Sequence, residues 1–158
     1  MIIESIELHN FMCYSGENRF DFTEGMNVII GDNNHGKSKL YDAFYWAMFD
    51  QCFDTGLKKW MPTRHFGTEI ISDKAIYEAD SGMVRAVVRV TFKNVDRDQA
   101  YIIERRLTAV KKENGTAADK ESEETVLFKE FDFMQGKEVT NPAEIDRIKR
   151  NILPDNIR

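Results

Sequence analysis

The residues best suited to chemistry form one short segment, from Gly31 to Ser38, with the pattern G-x-x-x-x-G-K-[ST]. Phosphate groups carry dense negative charge, and a tight loop running into a helix directs several backbone N–H groups and the positive end of the helix dipole at one spot. In this pattern Lys37 neutralises the β- and γ-phosphates, and the Ser38 hydroxyl is a hard oxygen ligand suited to Mg²⁺. The segment therefore predicts a site for ATP with Mg²⁺.

Several residues of this phosphate loop have distinct predicted roles. Gly31 and Gly36 allow backbone angles and a close approach that a Cβ would block. Asn34 stands where many such loops carry glycine, and asparagine tolerates a positive φ. His35 stands where a small residue is common, and we expect it to project to solvent. The predicted nucleotide ligands are Gly31, Asp32, Asn33, Asn34, His35, Gly36, Lys37, Ser38 and Lys39, with Ser38 as the metal ligand.

A phosphate loop of this kind needs a strand before it and a helix after it. The continuous apolar run 26–30 predicts a strand buried on both faces of a sheet. Residues 37–49 predict a helix, because Leu40, Phe44 and Ala47 follow the i, i+4, i+7 spacing of an inner stripe. The other faces of this helix are apolar too, so we expect it to be central and its aromatic residues to serve core packing.

The rest of the chain predicts further strands on both sides of this unit. Alternation from Val84 to Phe92 places Arg85, Arg89 and Thr91 on one face of a strand and an apolar set on the other: Val84, Ala86, Val88, Val90 and Phe92. The additional predicted elements are strands at 2–9, 19–22, 100–108 and 125–131, a mobile charged loop at 111–124, and a helix at 141–153 that begins with Asn141 as its N-cap.

These elements predict an α/β fold: a P-loop lobe with a mixed sheet, a buried helix after the phosphate loop, and an antiparallel β-subdomain. The lobe spans 1–158, and residues 51–82 form a connection whose pattern predicts no regular structure. Its expected parts are strands, loop and first helix in 1–50, antiparallel strands in 83–133 and the helix 141–153.

Composition limits the class of protein. A formal net charge of −5 argues against a surface built throughout to hold nucleic acid, although a local basic patch remains compatible with it. No stretch approaches the roughly 18 apolar residues of a membrane span, and the amino terminus has no signal-peptide pattern, so we expect a cytoplasmic protein without membrane contact. Cys13 and Cys52 fit no metal-binding spacing and are expected to be reduced, buried thiols.

Two groups of basic residues are candidates for contact with a nucleic acid backbone. One lies on the predicted strands and comprises Arg85, Arg89, Lys93, Arg105 and Arg106; the other comprises Lys58, Lys59, Trp60, Arg64 and His65. For the first group we favour a solvated sheet face with cross-strand ion pairs to Glu104 or Asp96. For the second group we favour a surface loop anchored by its tryptophan.

The residues around the phosphate loop resemble the amino-terminal lobe of SMC-like ABC-type ATPases. The resemblance covers residues 6–49 and is carried by the pattern L-x-N-F … F-x-x-G-x-N-x-I-x-G-x-N-x-x-G-K-S. Such proteins include double-strand-break-repair ATPases that partner a nuclease, RecF-type repair proteins, and SMC-like ATPases of bacterial DNA modification and anti-phage systems. Members often carry a basic residue after the Asn-Phe pair, where this sequence has Met12.

The resemblance implies that two copies of the head bind ATP between them and that this dimer opens and closes around DNA. A second, carboxy-terminal lobe would supply the signature motif, the acidic Walker B pair and the switch histidine. None of these motifs occurs in this sequence, and no catalytic residue is identifiable. Because hydrolysis needs a positioned water and a base as well as a phosphate cradle, we expect the chain to be part of a longer ATPase and to hydrolyse ATP poorly by itself.

Two other functions remain open from the sequence. A small P-loop kinase is disfavoured, because such kinases alternate parallel strands with helices, whereas here strands precede the loop and antiparallel strands follow the first helix. A nucleotide-dependent interaction module without catalysis cannot be separated from the ATPase on this sequence.

Overall fold

The computed structural model describes residues 1–32, 36–80, 82–94, 99–112, 118–131 and 137–153. The strands are β1 Ile2–Phe11, β2 Tyr14–Asp21, β3 Gln51–Asp54, β4 Lys59–Pro62, β5 Met83–Asn94, β6 Gln99–Lys111, β7 Ala118–Phe131 and β8 Lys137–Val139. The α-helices are α1 Lys37–Phe49, α2 Asp73–Glu78 and α3 Pro142–Ile152, and short 3-10 helices span Thr63–His65 and Gly67–Ile70. Six strands form one sheet in the order β2-β1-β5-β6-β7-β8, and β3 pairs with β4.

The hairpin of β5 and β6 confirms the prediction made from alternation. The residues of β5 that face the core are Val84, Ala86, Val88, Val90 and Phe92, all buried. Thr91, which was predicted to lie on the same face as Arg85 and Arg89, is buried. It lies opposite Ser5 of β1 on one side and Ile102 of β6 on the other, so its strand is interior to the sheet.

The predicted loop at 111–124 is wrong over its second half, since β7 begins at Ala118. The charged residues of this segment pair with their neighbours instead of staying solvated. Arg106 of β6 contacts Glu124, with 3.3 Å between Nη1 and Oε1, and Lys120 contacts Glu123 at 2.6 Å. Cross-strand ion pairs let a strand be highly charged, and charge content alone therefore did not separate it from a loop. The first part of the predicted loop includes residues 113–117, which lie outside the described residues.

The helix α1 packs one face against the core side of the sheet. Its residues Leu40, Ala43, Trp46 and Ala47 are buried, and the ring of Trp46 lies 5.4 Å from that of Phe11. The expectation that the helix is covered all round is wrong in the described structure, because Tyr41 on its opposite side is 62% exposed. The helix is therefore buried on the side that faces the sheet and exposed at Tyr41 on the opposite side.

The apolar run 26–30 does not form the predicted buried strand. Met26, Val28 and Ile30 are exposed, and no described strand pairs with them. A strand needs neighbours to satisfy its N–H and C=O groups, so this run cannot become one alone. All the described strand pairings are antiparallel, and the parallel component of the predicted mixed sheet is therefore not formed among these residues.

The helix α3 follows its sequence signals, since the Asn141 side chain accepts hydrogen bonds from the backbone N–H groups of Ala143 and Glu144. The prediction of no regular structure in the connection 51–82 is wrong, since this segment contains the β3–β4 hairpin and the short helix α2. Among the described residues, no helix combines the length and apolar character needed to cross a membrane.

Candidate phosphate-binding site

The phosphate loop enters α1 at Gly36, which caps the helix in the left-handed conformation with a φ of 88°. Lys37 is the first helical residue, and the first turn contains no acidic side chain. The free N–H groups and partial positive charge of this helix end are therefore not neutralised by a carboxylate from the same turn. Such an end fits an anion as dense as a triphosphate.

Gly36 also lies in a confined space. A Cβ built on it would come within 2.9 Å of the Tyr14 hydroxyl oxygen and 3.0 Å of the Cys13 Sγ. The Tyr14 hydroxyl donates a hydrogen bond of 2.8 Å to the Gly36 carbonyl. Conformation and space thus both require glycine here. Sequence reasoning missed Tyr14, because its contact with the loop depends on the turn between β1 and β2.

The Lys37 ammonium reaches back over the start of the loop. Its Nζ hydrogen-bonds the carbonyl oxygen of Gly31 and lies 3.2 Å from the carbonyl oxygen of Asp32. These partners are neutral acceptors, so a phosphate oxygen would offer the ammonium a stronger, charged partner. Ser38 is exposed on the next helical position, where its hydroxyl is accessible. The predicted ligands Asn33, Asn34 and His35 lie outside the described residues.

Lys39 is directed along the helix. Its Nζ lies 3.0 Å from Oδ2 of Asp42, and Asp42 is buried, with its other oxygen accepting a hydrogen bond from the backbone N–H of Phe53. Asp42 therefore joins α1 to β3 while it holds Lys39. A contact between Lys39 and nucleotide stays a prediction.

The two cysteines differ, which corrects the expectation that both are buried. Cys13 is exposed beside Gly36, whereas Cys52 is buried. Burial is the main cause that raises the pKa of Cys52 to about 12, so this thiol stays protonated at neutral pH. Among the described residues no group of three His, Cys, Asp or Glu side chains could hold a metal ion.

The basic residues of the sheet do not form one strip. Arg105 faces the core, whereas Arg85, Arg89 and Arg106 lie on the opposite face of the sheet. Arg89 and Arg106 both contact Glu104, as the cross-strand alternative predicted. Although burial alone would raise the pKa of Glu104, its hydrogen bonds from these two guanidinium groups lower that pKa below its ordinary value. Arg89 and Arg106 are thus paired with acids, whereas Arg85 donates a hydrogen bond of 3.1 Å to the Thr108 hydroxyl. Asp96 lies outside the described residues.

Trp60 anchors the β3–β4 hairpin, in agreement with the prediction of a surface segment anchored by its tryptophan. Its ring stacks on that of Tyr45 of α1, with 4.0 Å between the centroids and 19° between the planes, and Phe53 meets it edge-on at 5.5 Å. His65 is held by Asp54, with 2.7 Å between Nε2 and Oδ2.

Comparison with known proteins supports the predicted family. Residues 5–153 match the family model described as an AAA domain. The chain is 30% identical to structural maintenance of chromosomes protein 6 of Dictyostelium discoideum over 91% of its own length and 12% of that protein's. It is 47% identical to the DNA double-strand break repair Rad50 ATPase of Thermoplasma volcanium over 31% of its own length and 5% of that protein's.

The similarity extends to a chromosome partition protein. The chain is 34% identical to the Smc protein of Thermoplasma acidophilum over 66% of its own length and 8% of that protein's. In each of these matches the chain spans a small part of the relative's length.

Proposed function

We propose that this chain, which belongs to the AAA domain family and is the amino-terminal region of an SMC-like ABC-type ATPase head, binds ATP and Mg²⁺ in a head that couples ATP binding and hydrolysis to DNA repair or DNA-based defence. The observation that carries the proposal is the entry to α1: Gly36 in its left-handed conformation, followed by Lys37, with no acid in the first turn. Lys37 would contact the β- and γ-phosphates, and Ser38 would hold the Mg²⁺.

The exposed run 26–30 supports a second lobe as the first partner. Met26, Val28 and Ile30 are 88%, 70% and 90% exposed, and they lie next to the phosphate loop. Beside this run, a cleft of about 530 Å³ lies between β1 and α1 and is lined by apolar residues that include Ile6, Leu40 and Tyr41. A strand and its sheet from a carboxy-terminal lobe would cover both surfaces, pair the run and bury the open side of α1.

The dimer and the DNA are proposals supported by the relatives. Their names describe chromosome partition, structural maintenance of chromosomes and DNA double-strand break repair, and the substrate in each of these processes is DNA. We propose that a second copy of the head completes the ATP site in trans, that DNA is the substrate the dimer acts on, and that a nuclease or a defence protein works with it. The site of action would be the cytoplasm.

The test of the phosphate site is the substitution Lys37→Ala, measured by calorimetry with Mg²⁺-ATP. Loss of the ammonium should abolish binding, while circular dichroism stays unchanged, because Lys37 is not a core residue. Lys58→Ala, at an exposed lysine of the β3–β4 hairpin, is the matched control and should bind as the wild type does. Equal affinities of the wild type and Lys37→Ala would refute the assignment.

A phosphoryl-transfer assay with small acceptors addresses the kinase alternative. The antiparallel sheet that follows α1 differs from the alternating parallel strands and helices of small P-loop kinases. We therefore expect no transfer and little ATP hydrolysis by this chain alone. Efficient turnover of a small acceptor would favour the kinase instead.

A further inference from the structure

A cluster of paired charges lies at the end of α1 opposite the phosphate loop. Arg105 of β6 contacts two carboxylates: its Nη2 lies 2.6 Å from Oδ1 of Asp50 and 2.7 Å from Oε1 of Glu123, and its Nε lies 2.9 Å from the same Glu123 oxygen. The side chains of Arg105 and Glu123 are only 10% and 11% exposed. Asp50 is the C-cap of α1, so the cluster joins this helix to β6 and β7.

The last turns of α1 are held by further contacts to the same elements. The indole N–H of the fully buried Trp46 donates to Oε1 of Glu123 at 3.2 Å, and the guanidinium carbon of Arg105 lies 5.5 Å from the centre of the Trp46 ring. From α3, the buried ammonium of Lys149 donates to the carbonyl of Ala47 at 3.1 Å. Cations at the C-terminal end of a helix also complement its dipole.

Asp50 is fixed on its other side as well. Its carboxylate accepts a hydrogen bond from the Thr63 hydroxyl, and its carbonyl accepts one of 3.1 Å from the Thr63 backbone N–H. The residue therefore keeps its left-handed φ of 57° between two restraints. Loss of Arg105 would leave two carboxylates, one of them largely buried, without their shared partner. The cost of this unpaired charge would be relieved if the two carboxylates moved apart.

We propose that Arg105 is a positioning residue for nucleotide binding, which acts through Asp50, Glu123 and Trp46 to fix the orientation of α1 and thereby the place of the phosphate loop. This proposal rests on the proposed function. A helix of 13 residues is about 20 Å long and behaves as a rigid rod. We call the end near Asp50 the held end and the end at Gly36 and Lys37 the binding end. A rotation of about 3° at the held end therefore moves the binding end by about 1 Å. A displacement of that size is enough to misalign a loop with its phosphates.

Arg105→Met and Arg106→Met form a matched pair, because the two residues are adjacent on β6 and face opposite sides of the sheet. We expect Arg105→Met to weaken Mg²⁺-ATP binding about tenfold by calorimetry, at a temperature where circular dichroism shows the variant to be folded. Arg106 contacts Glu104 and Glu124 away from α1, so Arg106→Met should stay within about twofold of the wild type. Glu123→Gln, which keeps the side chain's shape, is the second variant if Arg105→Met does not fold, and it should also weaken binding.

The fluorescence of Trp46 gives a measurement that would not respond to ATP if Arg105 only stabilised the fold. In a Trp60→Phe background Trp46 is the remaining tryptophan, and its emission should shift when Mg²⁺-ATP binds at the far end of the helix. The shift should be absent in Lys37→Ala and reduced in Arg105→Lys. ATP binding with a silent Trp46 and unchanged affinity in Arg105→Met or Glu123→Gln would overturn the positioning role alone. Absence of ATP binding by the wild-type chain would overturn the proposed function and the positioning role together.

Discussion

The two ends of α1 use charge in opposite ways. At the phosphate loop, Lys37 contacts only backbone carbonyls among its described partners, and the first turn has no acid to balance it. At the other end, Arg105 is shared between two carboxylates, and its side chain is only 10% exposed. A charge without an ionic partner is available to a ligand, whereas a paired and buried charge holds elements together. The binding end and the held end of one helix can therefore be told apart by how their charges are satisfied.

The largest effect should come from Gly36→Ala, which breaks the binding end. An alanine there must adopt a left-handed φ and place a Cβ 2.9 Å from the Tyr14 hydroxyl. Together the left-handed conformation and the overpacking should cost about 2–4 kcal/mol of folding free energy, and the distorted loop should lose ATP binding. Urea unfolding and calorimetry measure the two effects.

The control for this substitution is Gly67→Ala. Gly67 also has a left-handed φ, of 56°, but nothing lies within 4 Å of a Cβ built on it. Its substitution should cost only about 1 kcal/mol and leave ATP binding intact. Equal losses of stability in the two variants would show that the wall formed by Tyr14 and Cys13 is unimportant.

This contrast also separates what the sequence could predict from what it could not. The loop pattern, the alternation of β5 and the capping of α3 are local, so their residues could be read in order. Met26 to Ile30 was predicted as a buried strand because its composition is right, but a strand also needs a partner, and no described segment provides one. Composition predicts what a segment can become, whereas pairing decides whether it does so.

The role of Arg105 was missed for a related reason. It was grouped with Arg106 as a basic pair, although adjacent strand residues point to opposite faces. A usable signal was present, since Ile103, Leu107 and Ala109 share the parity of Arg105 and are buried. A charged residue in such a series predicts a buried ion pair. Its partners Asp50 and Glu123 are distant in sequence, and only the fold identifies them.

A drop in pH should weaken the held end by way of Glu123. Burial raises the pKa of Glu123, but the hydrogen bond from Lys120 and the charge of Arg105 outweigh it, so that the pKa lies below the ordinary value of 4.5. A group whose pKa is lowered in the folded state stabilises the fold above its unfolded pKa, and this stabilisation disappears as pH falls through the folded pKa. The Glu123 contribution should therefore be complete at pH 7 and decrease below about pH 4.5.

Comparison of the wild type with Glu123→Gln isolates this contribution from the other carboxylates. Urea unfolding at pH 7, 5, 4 and 3 should show the wild type more stable at pH 7 and the difference shrinking in acid. A difference that stays constant across this range would mean that Glu123 titrates alike in the folded and unfolded chains. It would leave the held end without the electrostatic character that distinguishes it from the binding end.

The smallest effect should come from Tyr14→Phe, which sharpens the comparison by removing one atom from the binding end. The ring packs edge-on against Phe20 at 5.8 Å and should keep its place, whereas the hydrogen bond of 2.8 Å to the Gly36 carbonyl is lost. A single neutral hydrogen bond contributes about 1 kcal/mol, and we expect a loss of about that size to appear as roughly fivefold weaker Mg²⁺-ATP binding.

The stability of this variant decides how the result is interpreted. The Gly36 carbonyl also accepts the backbone N–H of Leu40 at 3.2 Å, so it keeps one partner when the phenol hydroxyl is gone, and the unfolding free energy should fall by less than about 1 kcal/mol. Weaker ATP binding with nearly unchanged stability would mean that Tyr14 shapes the loop for its ligand. The reverse, lost stability with unchanged binding, would mean that Tyr14 contributes to the fold alone, and the binding end would then consist of Gly36 and Lys37 without a support of its own.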